Sequence, residues 1–253
     1  MIPPLRRPAT PDGLFVWVMH RFADVFEDRA ILKGGIALRL LDCPRSTTDI
    51  DYVFVPYRSK KDVLKRIETV LRELDDGEVS VTLHSRMLRA TLRVDSAAIQ
   101  VEASVDRECP AMPIPTASLA EAQGQPSRIV RIMALDRALA GKLAAWNERR
   151  LLRDLYDCYY LGSRLGQTPD LEVLDARLGK VESRLPRLRK RVSMTRAELT
   201  SELRAAVEEL SEDALRDELA PILPAAELVG LVPRLRAALI RLVELLEHGG
   251  EPA

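Results

Sequence analysis

The sequence is poor in cysteine, lysine and aromatic residues, and it has no long apolar run. Its three cysteines, Cys43, Cys109 and Cys158, are widely spaced, which gives neither a disulfide framework nor the paired spacing of a zinc site. The apolar runs fall well short of the about 20 residues that span a bilayer. The first ten residues hold three prolines and two arginines, unlike a signal peptide. We therefore expect a cytoplasmic protein without a membrane partner.

Charge is balanced in total, with 38 basic and 38 acidic residues, but it is unevenly distributed. Residues 128–196, here called the basic segment, carry 16 basic and 8 acidic groups, whereas residues 197–253 carry 5 basic and 12 acidic groups. The balanced total excludes a uniformly basic nucleic-acid coat and an acidic disordered chain. The basic segment is typical of an anion-binding surface or of an arginine-rich solvated helix face, and the sequence leaves both open. Its main cations are Arg128, Arg131, Arg149, Arg150, Arg153, Arg184, Arg187, Arg189, Lys190 and Arg191.

Hydrophobic periodicity predicts an α+β first half followed by a helical second half. Four prolines within residues 108–127 indicate a linker or exposed loop between them. The predicted strands cover residues 30–32, 49–55, 79–83, 87–94 and 99–105. The predicted helices cover a segment capped by Asp12, then residues 36–41, 60–74, 128–148, 150–164, 170–185, 195–210, 212–219 and 231–247.

Two aspartates, Asp49 and Asp51, stand two positions apart in a predicted strand, so their side chains share one face. Carboxylates this close repel each other unless a cation lies between them. Mg²⁺ suits such a pair because it takes oxygen ligands from carboxylates and substrate phosphates. The alternative is that both aspartates lie on the solvated face of an edge strand.

Two consecutive glycines, Gly34 and Gly35, separate a predicted strand from a predicted helix. Glycines at such a junction let backbone N–H groups approach an anion. The alternative is an ordinary tight turn. A strand, a glycine pair, a helix and a second strand with two aspartates form a much rarer combination than any one of these features.

Glu102 is the best candidate for a third acid, because it lies in a predicted strand between apolar neighbours. It would join Asp49 and Asp51 if the two strands are adjacent, and otherwise it points to water. Asp106 and Asp95 are weaker candidates for the same role.

The segments LKGGIALR (Leu32–Arg39) and RSTTDID (Arg45–Asp51) resemble the signature of polymerase-β-type nucleotidyltransferases. More narrowly, they resemble the motif K-G-G-T-A-L…R-F-S-x-D-I-D of the AbiEii-like or MenT-like toxins of type IV abortive-infection systems. Ile36 replaces the usual threonine, Ser46 an aromatic residue and Thr47 a serine. Ile36 thus removes a hydroxyl beside the glycines, whereas Thr47 keeps one.

The resemblance continues beyond the prolines. ALDRALAGKLAA (residues 134–145) is similar to the family's lysine-bearing helix, and RDLYD (residues 153–157) matches its R-D-x-Y-D segment. Lys142 is one of only seven lysines beside 31 arginines, which makes its position informative. The alternatives are a surface lysine for Lys142 and ordinary i,i+4 ion pairs, Arg150–Asp154 and Arg153–Asp157, for the two aspartates.

The resemblance implies an α+β fold: a polymerase-β-like nucleotidyltransferase domain with a mixed sheet and flanking helices over residues 1–125. An α-helical bundle over residues 126–253 would then contribute Lys142 and Asp154 to the cleft. The implied roles are as follows: metal binding by Asp49, Asp51 and Glu102, with Glu102 as an alternative base; nucleotide binding by Lys33, Gly34, Gly35, Thr47 and Asp157; pyrophosphate neutralisation by Lys142; and positioning by Asp154.

The implied activity is that of a toxin in a toxin–antitoxin system. It would move a nucleoside monophosphate from a nucleoside triphosphate to the 3′ end of tRNA and so block translation, with Mg²⁺ or Mn²⁺ as cofactor and an antitoxin as partner. The charge layout suggests that the basic segment binds RNA and that the acidic C-terminal residues repel RNA or bind a basic antitoxin. Two alternatives stay open: an aminoglycoside-type small-molecule nucleotidyltransferase and a non-catalytic partner-binding module.

Overall fold

A computed structural model describes residues 8–85, 87–183, 185–186 and 192–249 of the chain. The chain divides into two compact units, Met1–Ala134 and Leu135–Ala253. Five cations of the basic segment (Arg184, Arg187, Arg189, Lys190 and Arg191) lie outside the described residues. Among the helices of the described ranges, none combines the length and hydropathy needed to cross a bilayer.

The first unit is built on a mixed sheet of seven strands in the order β3-β4-β5-β2-β1-β7-β6. The strands are β1 (Ala30–Lys33), β2 (Asp49–Phe54), β3 (Glu78–Leu83), β4 (Leu88–Val94), β5 (Ala97–Val105), β6 (Ala111–Pro115) and β7 (Ile129–Met133). Its helices are α1 (Pro11–Phe26), α2 (Gly34–Arg39), α3 (Lys60–Leu71) and α4 (Ala117–Ala122). β2 pairs in parallel with β5 and antiparallel with β1. The predicted α+β class with a mixed sheet and flanking helices is confirmed.

One face of the sheet forms the core of this unit. Tyr52 and Phe54 of β2 are buried, and their rings pack with Phe22 and Phe26 of α1 at centroid distances of 4.7 to 5.6 Å. Because strand side chains alternate between faces, this packing directs Asp49 and Asp51 to the opposite face. The apolar half of β2 therefore fixes the orientation of its acidic half.

Helix termini follow capping chemistry, with one difference from the prediction. Ser59 caps α3 in a reciprocal capping box with Asp62, as the sequence indicates. α1 is instead capped by Thr10, whose hydroxyl accepts a hydrogen bond from the N–H of Gly13 at 3.0 Å. The predicted cap Asp12 lies inside the helix and receives two hydrogen bonds from Arg39, at 2.7 and 2.8 Å.

The proline-rich stretch 108–127 is not a linker. It contains β6 and α4, and β6 tolerates Pro113 and Pro115 because it is an edge strand, where a missing N–H donor costs no ladder bond. The prediction of a helix from residue 128 is also wrong at its start, because residues 129–133 form β7. Val130 and Ile132 alternate into the core beside β1, and this period-2 pattern outweighs the helical one.

The second unit is helical. Its helices are α5 (Leu135–Arg149), α6 (Leu152–Tyr159), α7 (Leu171–Leu178), α8 (Arg196–Glu209), α9 (Glu212–Leu219), α10 (Ala225–Leu228) and α11 (Leu231–Glu247), with a π-helical turn at Tyr160–Arg164. Leucines 199 and 203 of α8 and 235 and 239 of α11 are buried where these two helices pack. The predicted helices are confirmed apart from their ends: α5 starts after β7, and α7 stops at Leu178.

A buried histidine makes the first unit sensitive to acid. His20 is fully buried, with Nε2 at 2.9 Å from the Thr116 hydroxyl. Burial, and secondly the positive charge of Arg128, lower the pKa of His20 to about 4. In the unfolded chain the His20 imidazole binds a proton with a pKa near 6.5, whereas in the folded chain it does so only near pH 4. The free energy of unfolding therefore falls as the pH drops from about 6.5 toward 4.

We predict that His20→Gln removes part of this acid sensitivity. Between pH 7 and pH 5, His20 lowers the free energy of unfolding by about 2 kcal/mol in the wild type, and the variant lacks this loss. Urea unfolding at both pH values measures it. The control is His84→Gln, which makes the same substitution at an exposed histidine outside the core. Equal pH dependence in His20→Gln and wild type would contradict the prediction.

Candidate active site

Asp49 and Asp51 lie on a central strand of the sheet. β2 sits between β5 and β1, which contradicts the edge-strand alternative. Both aspartates are half-buried and flank buried Ile50. Their side chains point to the same face, about 7 Å apart along the strand. The structure thus places two carboxylates side by side on a rigid support.

Glu102 lies next to Asp51 in this sheet. In the parallel register, Glu102 of β5 is opposite Asp51, and Gln100 is opposite Asp49. Neighbours in register share a face, so the three acids occupy one face of the sheet. The weaker candidates do not join them: Asp106 follows the far end of β5, and Asp95 lies in the β4–β5 turn.

The glycine pair is in direct contact with this acidic face. Gly34 has φ +71°, and a Cβ built on it would lie 2.3 Å from Oδ2 of Asp51. A Cβ on Gly35 would lie 2.8 Å from the Arg45 guanidinium and 3.0 Å from the Thr47 hydroxyl. Both glycines are therefore required because side chains of the following strand and loop occupy the space of a Cβ.

Thr47 organises the start of β2. Its Oγ1 accepts a hydrogen bond from the Asp49 N–H at 3.3 Å and donates to the Asp49 carbonyl at 3.2 Å. Lys33 is half-buried and opposite Asp51 in the antiparallel β1–β2 register, so it shares the acidic face. Arg45, which the sequence analysis did not assign a role, is buried and packs against Gly35.

Glu102 has a partner that sequence reasoning missed. Arg89 of β4 is opposite Glu102 in the antiparallel β4–β5 register. Its Nε and Nη2 donate to Oε1 of Glu102 at 3.0 and 2.6 Å. The apolar alternation of β4, with exposed Arg89 between buried Leu88 and Ala90, is the signal that could have placed it on this face.

The donor set suits a hard divalent cation, although the three described acids do not converge as a three-ligand cluster. Asp49 and Asp51 offer carboxylate oxygens on one face, the ligand type that Mg²⁺ prefers, and Mg²⁺ often takes only one or two carboxylates beside substrate phosphates. Among the described residues, no three His, Cys, Asp or Glu side chains converge closely enough to hold a metal. The residues therefore fit a metal shared with a bound phosphate.

The helical unit buries a separate network of charges. Asp154 and Asp157 of α6 are 1% and 0% exposed. Nζ of Lys142, on α5, lies 2.6 Å from Oδ2 of Asp157 and 3.9 Å from Oδ1 of Asp154. Arg149 donates to both oxygens of Asp154, at 3.1 and 2.6 Å. Lys142 is thus held between buried acids and is not a solvated surface lysine.

The arginines of the alternative i,i+4 pairs have other contacts. Arg150 stacks on the Trp146 ring at 4.2 Å and pairs with Glu202 at 3.1 Å. The backbone N–H of Arg153 donates to Glu218. The ion pairs that Asp154 and Asp157 of α6 make with Arg149 and Lys142 join α6 to α5. Helical spacing alone does not predict them.

Burial dominates the protonation of this network. It raises the pKa of Asp154, and the positive charges of Lys142 and Arg149 only partly oppose it. Burial, and then the negative charges of Asp154 and Asp157, also raise the pKa of the Cys158 thiol well above its ordinary value. Cys158 is therefore a neutral packing residue at physiological pH.

Several described cations of the basic segment are neutralised within the fold. Arg128 pairs with Asp24, Arg177 with Glu148 at 3.5 Å and Arg196 with Asp175 at 2.9 Å. The solvated-face interpretation thus describes part of this segment.

Solved structures that share this fold over most of the chain include MenT4 and JHP933. MenT4, a nucleotidyltransferase toxin from Mycobacterium tuberculosis H37Rv, matches with a TM-score of 0.60 and 18% identity, over 96% of this chain and 87% of MenT4. JHP933 from Helicobacter pylori matches with a TM-score of 0.53 and 15% identity, over 94% of this chain and 92% of JHP933. At these identities the likeness shows the fold alone. Comparison with curated proteins gave no sequence match.

The family comparison reaches further than the fold. Residues 17–241 match the family model described as "Nucleotidyl transferase AbiEii toxin, Type IV TA system". The match includes the glycine pair, the two aspartates, Glu102 and the charged network of α5 and α6. Because it covers most of the chain, the protein belongs to the AbiEii family of type IV toxin–antitoxin systems and is a nucleotidyltransferase.

Proposed function

We propose that this nucleotidyltransferase transfers a nucleoside monophosphate from a nucleoside triphosphate to the 3′ end of tRNA, and that the blocked tRNA halts translation. In this reaction the acceptor hydroxyl oxygen bonds to the α-phosphorus, the bond to pyrophosphate breaks, and the hydroxyl proton passes to a base, either Glu102 or water. The site must therefore hold a triphosphate and balance its charge in the transition state.

The contact between Asp51 and Gly34 carries this proposal. It brings a carboxylate pair on a central strand against a bare stretch of backbone at the end of β1. A triphosphate and a divalent cation need this combination: anionic oxygens for the cation and N–H donors with little steric bulk for the phosphates.

In the proposal, Asp49 and Asp51 hold Mg²⁺ or Mn²⁺, and Glu102 is the third acidic ligand. The bound metal supplies charge stabilisation for the attacking and leaving oxygens. The backbone of Gly34 and Gly35 contacts phosphate. Lys33 and the Thr47 hydroxyl complete the nucleotide-binding set.

Lys142 is proposed to neutralise the departing pyrophosphate. Its ammonium is a compact point charge, and the buried carboxylates of Asp154 and Asp157 fix its position. In the proposal Asp154 positions Lys142, Arg149 holds Asp154, and Asp157 serves nucleotide binding through Lys142.

The acceptor and the partner are proposed from charge. The basic segment has an excess of eight positive charges, which suits a phosphate backbone. The acidic residues 197–253 suit a basic antitoxin surface. Family membership supports the existence of an antitoxin.

We predict that Asp49→Ala and Asp51→Asn each lower transfer at least about a hundredfold, because the metal stabilises the transition state by several kcal/mol. Each labelled nucleoside triphosphate, Mg²⁺ and total tRNA are incubated with the protein, and label in tRNA is counted. Asp106→Asn, which changes an acid that follows the end of β5 and lies outside the acidic face, should keep wild-type activity.

Two outcomes would contradict the proposal, in that incubation, in a parallel incubation with an aminoglycoside in place of tRNA, or in a test of growth on expression. If Asp49→Ala transfers label, or inhibits growth, as well as the wild type does, the proposed metal site is wrong. Labelling of an aminoglycoside but not of tRNA replaces the acceptor with a small molecule.

We predict that Gly34→Ala abolishes transfer by displacing the Asp51 carboxylate, which lies 2.3 Å from the new methyl position. The control is Gly166→Ala: Gly166 has φ +66°, but nothing lies within 4 Å of its Cβ position. In both variants the alanine adopts a left-handed conformation, which lowers the free energy of unfolding by about 1 to 2 kcal/mol. Urea unfolding measures this loss, and a loss of transfer in Gly34→Ala alone then comes from the displaced Asp51 carboxylate and not from strain. Similar activity in both variants would show that the contact is unimportant.

We predict that tRNA binding weakens steeply with salt and that neutralising Arg187, Arg189, Lys190 and Arg191 together reduces the slope of log K against log[salt] by about one per lost phosphate contact. Filter binding between 50 and 200 mM KCl measures the slope. Lys180→Ala, which removes an exposed cation of the same segment, is the control. A binding constant that does not change with salt would refute the RNA surface.

A further inference from the structure

The ion pair between Arg89 and Glu102 is unusual because it engages one candidate metal ligand on the side away from the others. Both donors of Arg89 meet the same oxygen, Oε1. In the strand order β4-β5-β2, Arg89 flanks Glu102 on one side and Asp51 flanks it on the other. The pair therefore competes with any contact that Glu102 makes toward β2.

The positions of the acids agree with this competition. Asp51 and Glu102 are in register on one face, yet within the described ranges no three acidic side chains converge as a metal site would require. The Arg89 and Glu102 side chains are 43% and 17% exposed. Water reaches the Arg89 side of this pair, and partly exposed ion pairs are easier to exchange than fully buried ones, so a divalent cation can replace Arg89.

We propose that Arg89 is a positioning residue for Glu102, which it holds toward β4 until a metal-bound nucleotide arrives. The resting protein then presents two acidic ligands, Asp49 and Asp51. Glu102 becomes the third when it leaves Arg89. This proposal rests on the proposed metal-dependent function and names the residue that sets its metal requirement.

The test is titration of the full chain with Mn²⁺ alone, with free Mn²⁺ followed by electron paramagnetic resonance. Arg89→Ala releases Glu102 and should tighten Mn²⁺ binding about threefold to tenfold, the size expected for one added negative ligand. Arg93→Ala removes a cation from the same exposed face of β4 and should change binding less than twofold. Unfolding midpoints confirm that the variants fold.

A double variant separates ligation from a general charge effect. Glu102→Asp keeps the charge but shortens the side chain by one methylene, so Arg89→Ala combined with Glu102→Asp should return to within about twofold of wild-type affinity. In transfer assays, Arg89→Ala should lower the Mg²⁺ concentration needed for half-maximal activity. Arg89→Lys, which keeps a cation at this position, should stay near wild type.

Several results would overturn the proposal. Weaker or unchanged Mn²⁺ binding in Arg89→Ala contradicts it, as does a double variant that binds as tightly as Arg89→Ala. Failure of the underlying function looks different, because Asp51→Asn would then bind Mn²⁺ as well as wild type.

Discussion

The contact on which the acidic face depends is that of the Asp51 carboxylate with Gly34. It leaves no room for a methyl group, so the sequence at the end of β1 and the acid on β2 constrain each other. The aromatic packing of Tyr52 and Phe54 against α1 supplies the force behind it, because burying those rings turns the alternate residues outward. Burial of the aromatic residues on one face of the sheet thus places the acidic residues on the other face.

The helical unit solves a different electrostatic problem. Burying Asp154 and Asp157 is costly unless cations accompany them, and α5 supplies Lys142 and Arg149 from two turns of one helix. A charge network of this kind is poor at adding stability but good at fixing where an ammonium points. Such precision suits the role proposed for Lys142 at the departing pyrophosphate, because a solvated lysine would lose conformational entropy on each encounter.

Much of this molecule is predictable from its sequence. Periodicity located most strands and helices, and the i,i+2 spacing placed Asp49 and Asp51 on one face. The strand β7 was missed because its five residues adjoin a strong helix, and β6 was missed because prolines normally argue against a strand. The partners Arg89 and Arg149 could not be found, since ion pairs between elements depend on packing and register. The sequence indicated that Gly34 lets backbone N–H groups approach an anion. The structure gives a further reason for this glycine, because the space that a Cβ would occupy is taken by the Asp51 carboxylate.

The parallel register of β2 and β5 has a consequence for how this chain can change. Asp51 and Glu102 are 51 positions apart in the sequence but lie opposite each other in the sheet. Their side chains share a face only as long as the alternation of side chains along each strand is uninterrupted. Inserting or deleting a single residue between Ala97 and Glu102 would rotate the glutamate into the apolar core, whereas the two-residue turn before β5 can lengthen without moving it. Homologous chains should therefore vary in the length of that turn while the spacing inside β5 stays invariant.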